Sequence, residues 1–98
     1  KISAIRAIGI PWYRAENYDA CRRIMADGQK MPGTFHIWRL AAEQEEKRQR
    51  RLGQTVVRAW IDPETFPDWC GQAGLDVDAQ CRLAWANAKA FEACGETH

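Results

Sequence analysis

The stretch from Thr55 to Cys70 constrains the rest of the chain more than any other. It reads Thr-Val-Val-Arg-Ala-Trp-Ile and continues directly as Asp-Pro-Glu-Thr-Phe-Pro-Asp-Trp-Cys. Thr55, Val56, Val57, Trp60 and Ile61 are β-branched or aromatic, the types that suit a pleated, half-buried surface, and Arg58 is the only charge among them. Asp62 offers a side-chain oxygen to the unpaired amides of a new helix, and Pro63 suits a first helical position, where no amide hydrogen is needed. A buried strand that turns straight into a capped helix is the expectation.

Before this stretch, Lys1 to Ile10 alternates imperfectly with apolar residues on both faces, which predicts a strand covered on both sides and ended by Pro11. A helix from about Ala15 to Met25 follows, with Tyr18, Cys21, Ile24 and Met25 at helical spacing and Asp27-Gly28 as its stop. Thr34 is a cap for the longest helix, running to about Leu52, with Ile37, Trp38, Ala41 and Leu52 as its apolar side. Gln44 and Arg48 interrupt that side, so the second half is expected to project into solvent. Glu43 with Lys47 and Glu46 with Arg50 stand four apart with the acid first, each pair worth ~0.2–0.5 kcal/mol on a helix.

After the strand, Pro63 to about Gln72 reads as a short helix turning Phe66, Trp69 and Cys70 inward. Asp76 then caps a last helix from Val77 to about Ala93, striped by Cys81, Trp85, Ala88 and Phe91 with Leu83 and Ala84 alongside. The fold class is therefore α+β in two layers: a small two-stranded sheet covered by about four helices, in the order β-α-α-β-α-α, as one domain over residues 1–98. A two-stranded sheet is marginal alone and leaves two edges, so pairing with a second copy into a four-stranded sheet is a natural completion.

With 98 residues the chain is long enough to bury a core. Its net charge of +1 gives no bulk attraction to nucleic acid or membrane. The charge is unevenly spread: residues 1–53 hold eleven Lys or Arg against six Asp or Glu, and residues 54–98 hold three against seven. No apolar run approaches the ~20 residues a membrane helix needs, and no leader pattern opens the chain, so a cytoplasmic protein is expected. Cys21, Cys70, Cys81 and Cys94 show no zinc-type spacing and are expected as four buried thiols; a secreted domain with two disulfides is the alternative.

Ile10-Pro11-Trp12-Tyr13-Arg14, the long charged helix ending at Gly53, and Val56-Val57-Arg58 with Ile61-Asp62-Pro63, Phe66, Trp69 and Cys70 resemble a family of small uncharacterised bacterial proteins. The resemblance implies a compact bacterial cytoplasmic α+β domain. Its motifs are structural, and it carries over no catalytic residue.

Three groups of residues are candidates for function. Trp12, Tyr13 and Arg14 with Asp62 and Glu64 lie just past the two strand ends, and meet only if the strands run parallel. An Arg beside two carboxylates and two aromatics there would take a small polar ligand, whereas the plainer reading makes Asp62 a cap paired with Arg14. Lys47, Arg48, Arg50 and Arg51, with Arg39, form a basic run that suits phosphates, but Glu43, Glu45 and Glu46 one turn away favour a solvated face over a nucleic-acid contact. Among five tryptophans, Trp60, Trp69 and Trp85 read as core, which leaves Trp12 and Trp38 as the partner-facing pair.

Catalysis has little support: His36 near a helix start and His98 at the chain end are the only histidines, Ser3 is the only serine, and no phosphate loop or metal-ligand spacing occurs. No metal or cofactor is expected. The reading that results is a self-associating interaction or accessory module without catalysis, its partner a second copy or another protein; a small-ligand domain or minor enzyme comes second and a nucleic-acid-contacting regulator third.

Overall fold

The computed structural model describes residues 7–95. Over that range two strands, β1 (Ala7–Trp12) and β2 (Thr55–Trp60), combine with four α-helices: α1 (Tyr18–Ile24), α2 (Phe35–Arg51), α3 (Phe66–Gln72) and α4 (Ala79–Gly95). The α+β class and the order β-α-α-β-α-α are those expected. Part of the expected first strand, from Lys1 to Arg6, and the tail from Glu96 to His98 lie outside the described residues.

The strands are parallel, with Ala7 opposite Thr55 and Trp12 opposite Trp60. Parallel neighbours need a long crossover, which α1 and α2 supply. Pro11 does not end β1 as expected but sits inside it, opposite Ala59. The reason is the direction of its nitrogen. The Trp12 carbonyl accepts from the Ile61 amide at 2.9 Å. In a parallel ladder this turns the backbone groups of Ile8, Ile10 and Trp12 toward β2 and those of Pro11 toward the outer edge, where no donor is missed.

Side chains alternate between the faces. Gly9 and Ala59 face α4, where Ala86 and Ala90 are buried. A Cβ on Gly9 would run into the Ala86 carbonyl, so these small residues set how closely α4 approaches the strands. On the other face, Trp12 packs edge-on against Trp38 of α2 at 5.2 Å, and Arg58 reaches Glu46 of α2. β1 is thus covered on both sides, as its double-faced apolar pattern predicts.

α2 begins as expected, with the Thr34 hydroxyl accepting from the Ile37 amide at 3.2 Å. Its buried side differs. Ile37 is 57% exposed, Leu52 is 61% exposed and Ala41 is exposed, while Ala42, Glu46 and Gln49 are buried and Phe35 and Trp38 are half-buried. The second half of α2 therefore stays on the protein instead of projecting into solvent, because a buried carboxylate with a partner on β2, and not an apolar residue, docks it. The i,i+4 pair of Glu46 with Arg50 forms at 3.4 Å, but Glu43 pairs with Arg39 at 3.8 Å and not with Lys47.

The other helix boundaries shift by a few residues, as competing caps decide. A 3₁₀ turn at Ala15–Asn17 precedes α1. Asp62 does not cap α3 itself: its carboxylate accepts from Glu64 N at 2.9 Å, and its carbonyl accepts from the Thr65 and Phe66 amides. α4 is capped by Asp78, which accepts from Gln80 and Cys81, and not by Asp76. Leu83 and Phe91 of the expected stripe are exposed, since the small residues of α4 face the sheet. Gly53 and Gly74 hold φ of 89° and 74°, the left-handed turns that end α2 and α3.

The core gathers Tyr13, Tyr18, Cys21, Met25, Ile61 and Phe66, with Cys70 and Cys81. Cys70 and Cys81 are not thiols but a disulfide joining α3 to α4 across a Cα separation of 6.0 Å. Both point inward from helices that reverse at Gly74, which brings together two cysteines whose spacing carries no such signal. Cys21 is a buried free thiol, raised to a pKa of about 11 by burial and then by the charge of Asp62. The side chain of Cys94 lies outside the described residues.

Candidate functional site

Because the strands are parallel, their carboxyl ends do lie side by side. The residues gathered there separate nevertheless. Trp12 is only 3% exposed: it is sandwiched between Trp38 and Arg58, whose guanidinium lies over its ring at 4.1 Å. Tyr13 is buried edge-on against Tyr18 and Trp38. Arg14 is exposed and stacks on Trp60 at 4.7 Å, with no ion pair to Asp62. Asp62 is engaged with its own turn, and Glu64 is exposed. Of the five, only Tyr13 lines a cleft beside β1.

Trp12 and Trp38 are therefore not a partner-facing pair, since the two rings cover each other. The exposed tryptophan is Trp60, at 41%. Its β-strand pattern gave no warning, because its outward environment depends on how far the helices reach past the strand end. Trp85 lies alongside, its indole N–H donating to the Trp60 carbonyl at 3.1 Å, with Lys89 over its ring at 4.5 Å.

The basic run is largely neutralised. Arg48 makes two bonds to Glu45 at 3.0 and 2.8 Å, Arg50 faces Glu46, and Arg39 faces Glu43. Only Lys47 and Arg51 of the run lack a carboxylate within ion-pair distance among the described residues.

The cleft beside β1 has a volume of about 390 Å³ and lies near the strand ends. Ile10 and Pro11 of β1 form one wall, Trp38, Ala41 and Ala42 of α2 another, and Met31 and Pro32 a third. Tyr13, Lys30 and Arg82 supply its polar groups. Tyr13 is among the candidates the sequence offers; Lys30 and Arg82 are not, because they come from a 3₁₀ turn at Gly28–Lys30 and from α4, and only the tertiary fold joins them. Burial keeps the Tyr13 phenol protonated by raising its pKa, against a smaller opposing effect of Arg82. Asp27 holds Arg82 by both terminal nitrogens at 2.7 and 2.8 Å, and this bond lowers the Asp27 pKa. A second depression of about 290 Å³ lies by Arg22 and Arg23, but the Arg22 Nε is committed to the Gly28 carbonyl at 3.0 Å and the strand ends are elsewhere.

The backbone edges are the second candidate feature. Where Trp12 and Ile61 bond, β2 turns the N–H and C=O of Val56, Arg58 and Trp60 outward. The Trp60 carbonyl is taken by Trp85. The backbone groups of Val56 and Arg58 have no partner among the described residues. The two edges differ at Pro11, which leaves the outer side of β1 without an N–H at that position, whereas Val56 and Arg58 of β2 each offer both groups.

Among the described residues, no three His, Cys, Asp or Glu side chains gather as metal ligands, and no helix is long and apolar enough to cross a membrane. Comparison with protein-family models, with curated proteins and with solved structures finds no match to the chain.

Proposed function

We propose that the chain is a self-associating interaction module whose contact surface is the outer edge of β2. The observation that supports this reading is the row of backbone donors and acceptors on Val56 and Arg58, which has no partner among the described residues and is not interrupted by a proline as the outer side of β1 is at Pro11. An exposed strand edge is a template for another strand. A two-fold axis passing at Val57 would set Val56 opposite Arg58 of a second copy and give an antiparallel pair at the centre of a four-stranded sheet. Exposed Trp60, on the same strand, would gain cover from that copy.

A single substitution tests this reading. Val56→Pro removes an outward N–H and leaves the β1 ladder its full set of bonds. The expected result is a dimer for the parent chain and a monomer of unchanged helicity for the variant, by light scattering and circular dichroism; equal mass for both would reject the β2 edge.

The cleft supports a second reading, a small-ligand domain. A nucleic-acid role is disfavoured by the paired arginines of α2. On location, the Cys70–Cys81 bond favours an oxidising compartment over the cytoplasm expected from sequence, since such bonds persist poorly among reducing thiols. A bacterial origin rests on the resemblance alone.

A further inference from the structure

We infer that the cleft beside β1 binds a small amphipathic monocarboxylate, an alkyl or aromatic body carrying a single negative charge. The walls set the body. Ile10, Pro11, Met31 and Trp38 are apolar, and a volume of about 390 Å³ sits at the lower end of the ~300–1,000 Å³ range of small-ligand sites. That excludes a long lipid and a sugar for opposite reasons, the first by size and the second by the scarcity of polar partners.

The charges set the head. No carboxylate lines the cleft, while two cations do. Arg82 is already neutralised by Asp27, which fixes its guanidinium as an oriented donor with the Nε and the remaining N–H groups still to place. Lys30 is exposed and has no carboxylate within ion-pair distance among the described residues, so it supplies the net charge. One uncompensated cation beside one held donor fork matches a monoanion with two oxygens better than a doubly charged phosphate.

The test uses octanoate and octanol, which share a chain length and differ in the head. Titrations of the labelled protein are followed by amide, indole and guanidinium NMR shifts. Octanoate is expected to move Trp38, Lys30 and Arg82 signals and to bind at least about tenfold more tightly than octanol. Lys30→Gln is expected to weaken octanoate about tenfold and leave octanol unchanged. Ala41→Phe, at an exposed position where the fold is retained, is expected to abolish binding of both. Equal affinity for the two probes, shifts centred outside the cleft, or octanoate binding indifferent to both substitutions would each overturn the assignment. The dimer edge lies on the other strand, so failure here leaves the self-association reading untouched and can be told apart from it.

Discussion

Glu46 and Arg58 meet across the boundary between α2 and β2 through two parallel hydrogen bonds, 2.8 and 2.9 Å long. The carboxylate is almost fully buried at 4% side-chain exposure, and the guanidinium covers the Trp12 ring while remaining 40% exposed. One arginine thereby ties a helix, a strand and an aromatic residue together. Removing the acid leaves Arg58 its water contact, so Glu46→Gln is expected to cost about 1–2 kcal/mol, below the ~3–5 kcal/mol of a wholly buried pair. Chemical denaturation of the two proteins measures it.

Acid should act through the same group and through Asp27. The Arg58 bond lowers the Glu46 pKa and the Arg82 bond lowers that of Asp27. A carboxylate depressed in the folded state stabilises fully above its unfolded pKa and loses that contribution as pH falls through the folded value. Stability is therefore expected to be level above the ordinary values of 4.5 for Glu46 and 3.8 for Asp27 and to decline below them. Glu46→Gln with Asp27→Asn should flatten that decline in denaturation curves taken across the acid range.

Gly9→Ala is expected to destabilise by about 1–3 kcal/mol or more, because its new methyl group meets the Ala86 backbone and not a side chain that can swing away. Ala86 is itself buried, so relief requires α4 to move off the sheet. Gly71→Ala, where an added Cβ meets nothing within 4 Å, is the matched control and should change stability little or favourably. Melting temperatures of both variants decide the point.

How much of this could be read from sequence depends on the range of the interaction involved. The strand at Thr55, the Thr34 cap and the stops at Gly53 and Gly74 follow from local chemistry, and all appear in the structure. The buried face of α2 did not, because Glu46 looks like a surface acid until Arg58 arrives from β2 to pair with it. On α4 the expected stripe is buried at Cys81 and packs on the core at Trp85 but is exposed at Leu83 and Phe91 for a related reason: large residues dominate a periodicity, while close approach to Gly9 is made by Ala86. The cleft shows the same division, with Tyr13 visible as a strand-end aromatic and Lys30 and Arg82 brought to it by elements far apart in the chain.

The Cys70–Cys81 bond closes a short loop with a sequence separation of 11. Chain-entropy arguments give such a loop ~3 kcal/mol. Reduction, or replacement of both cysteines by alanine, is expected to lower stability by about 2–3 kcal/mol, read from denaturation midpoints with and without reductant. Alkylation of the unfolded, unreduced protein should leave these two positions unmodified and label Cys21.

The most direct test of the open β2 edge is a native mass spectrum of the protein without reductant. An ion at twice the 11.2 kDa chain mass is expected, and it should be lost in the Val56→Pro variant. A parent protein that stays at the mass of one chain at every concentration would contradict it.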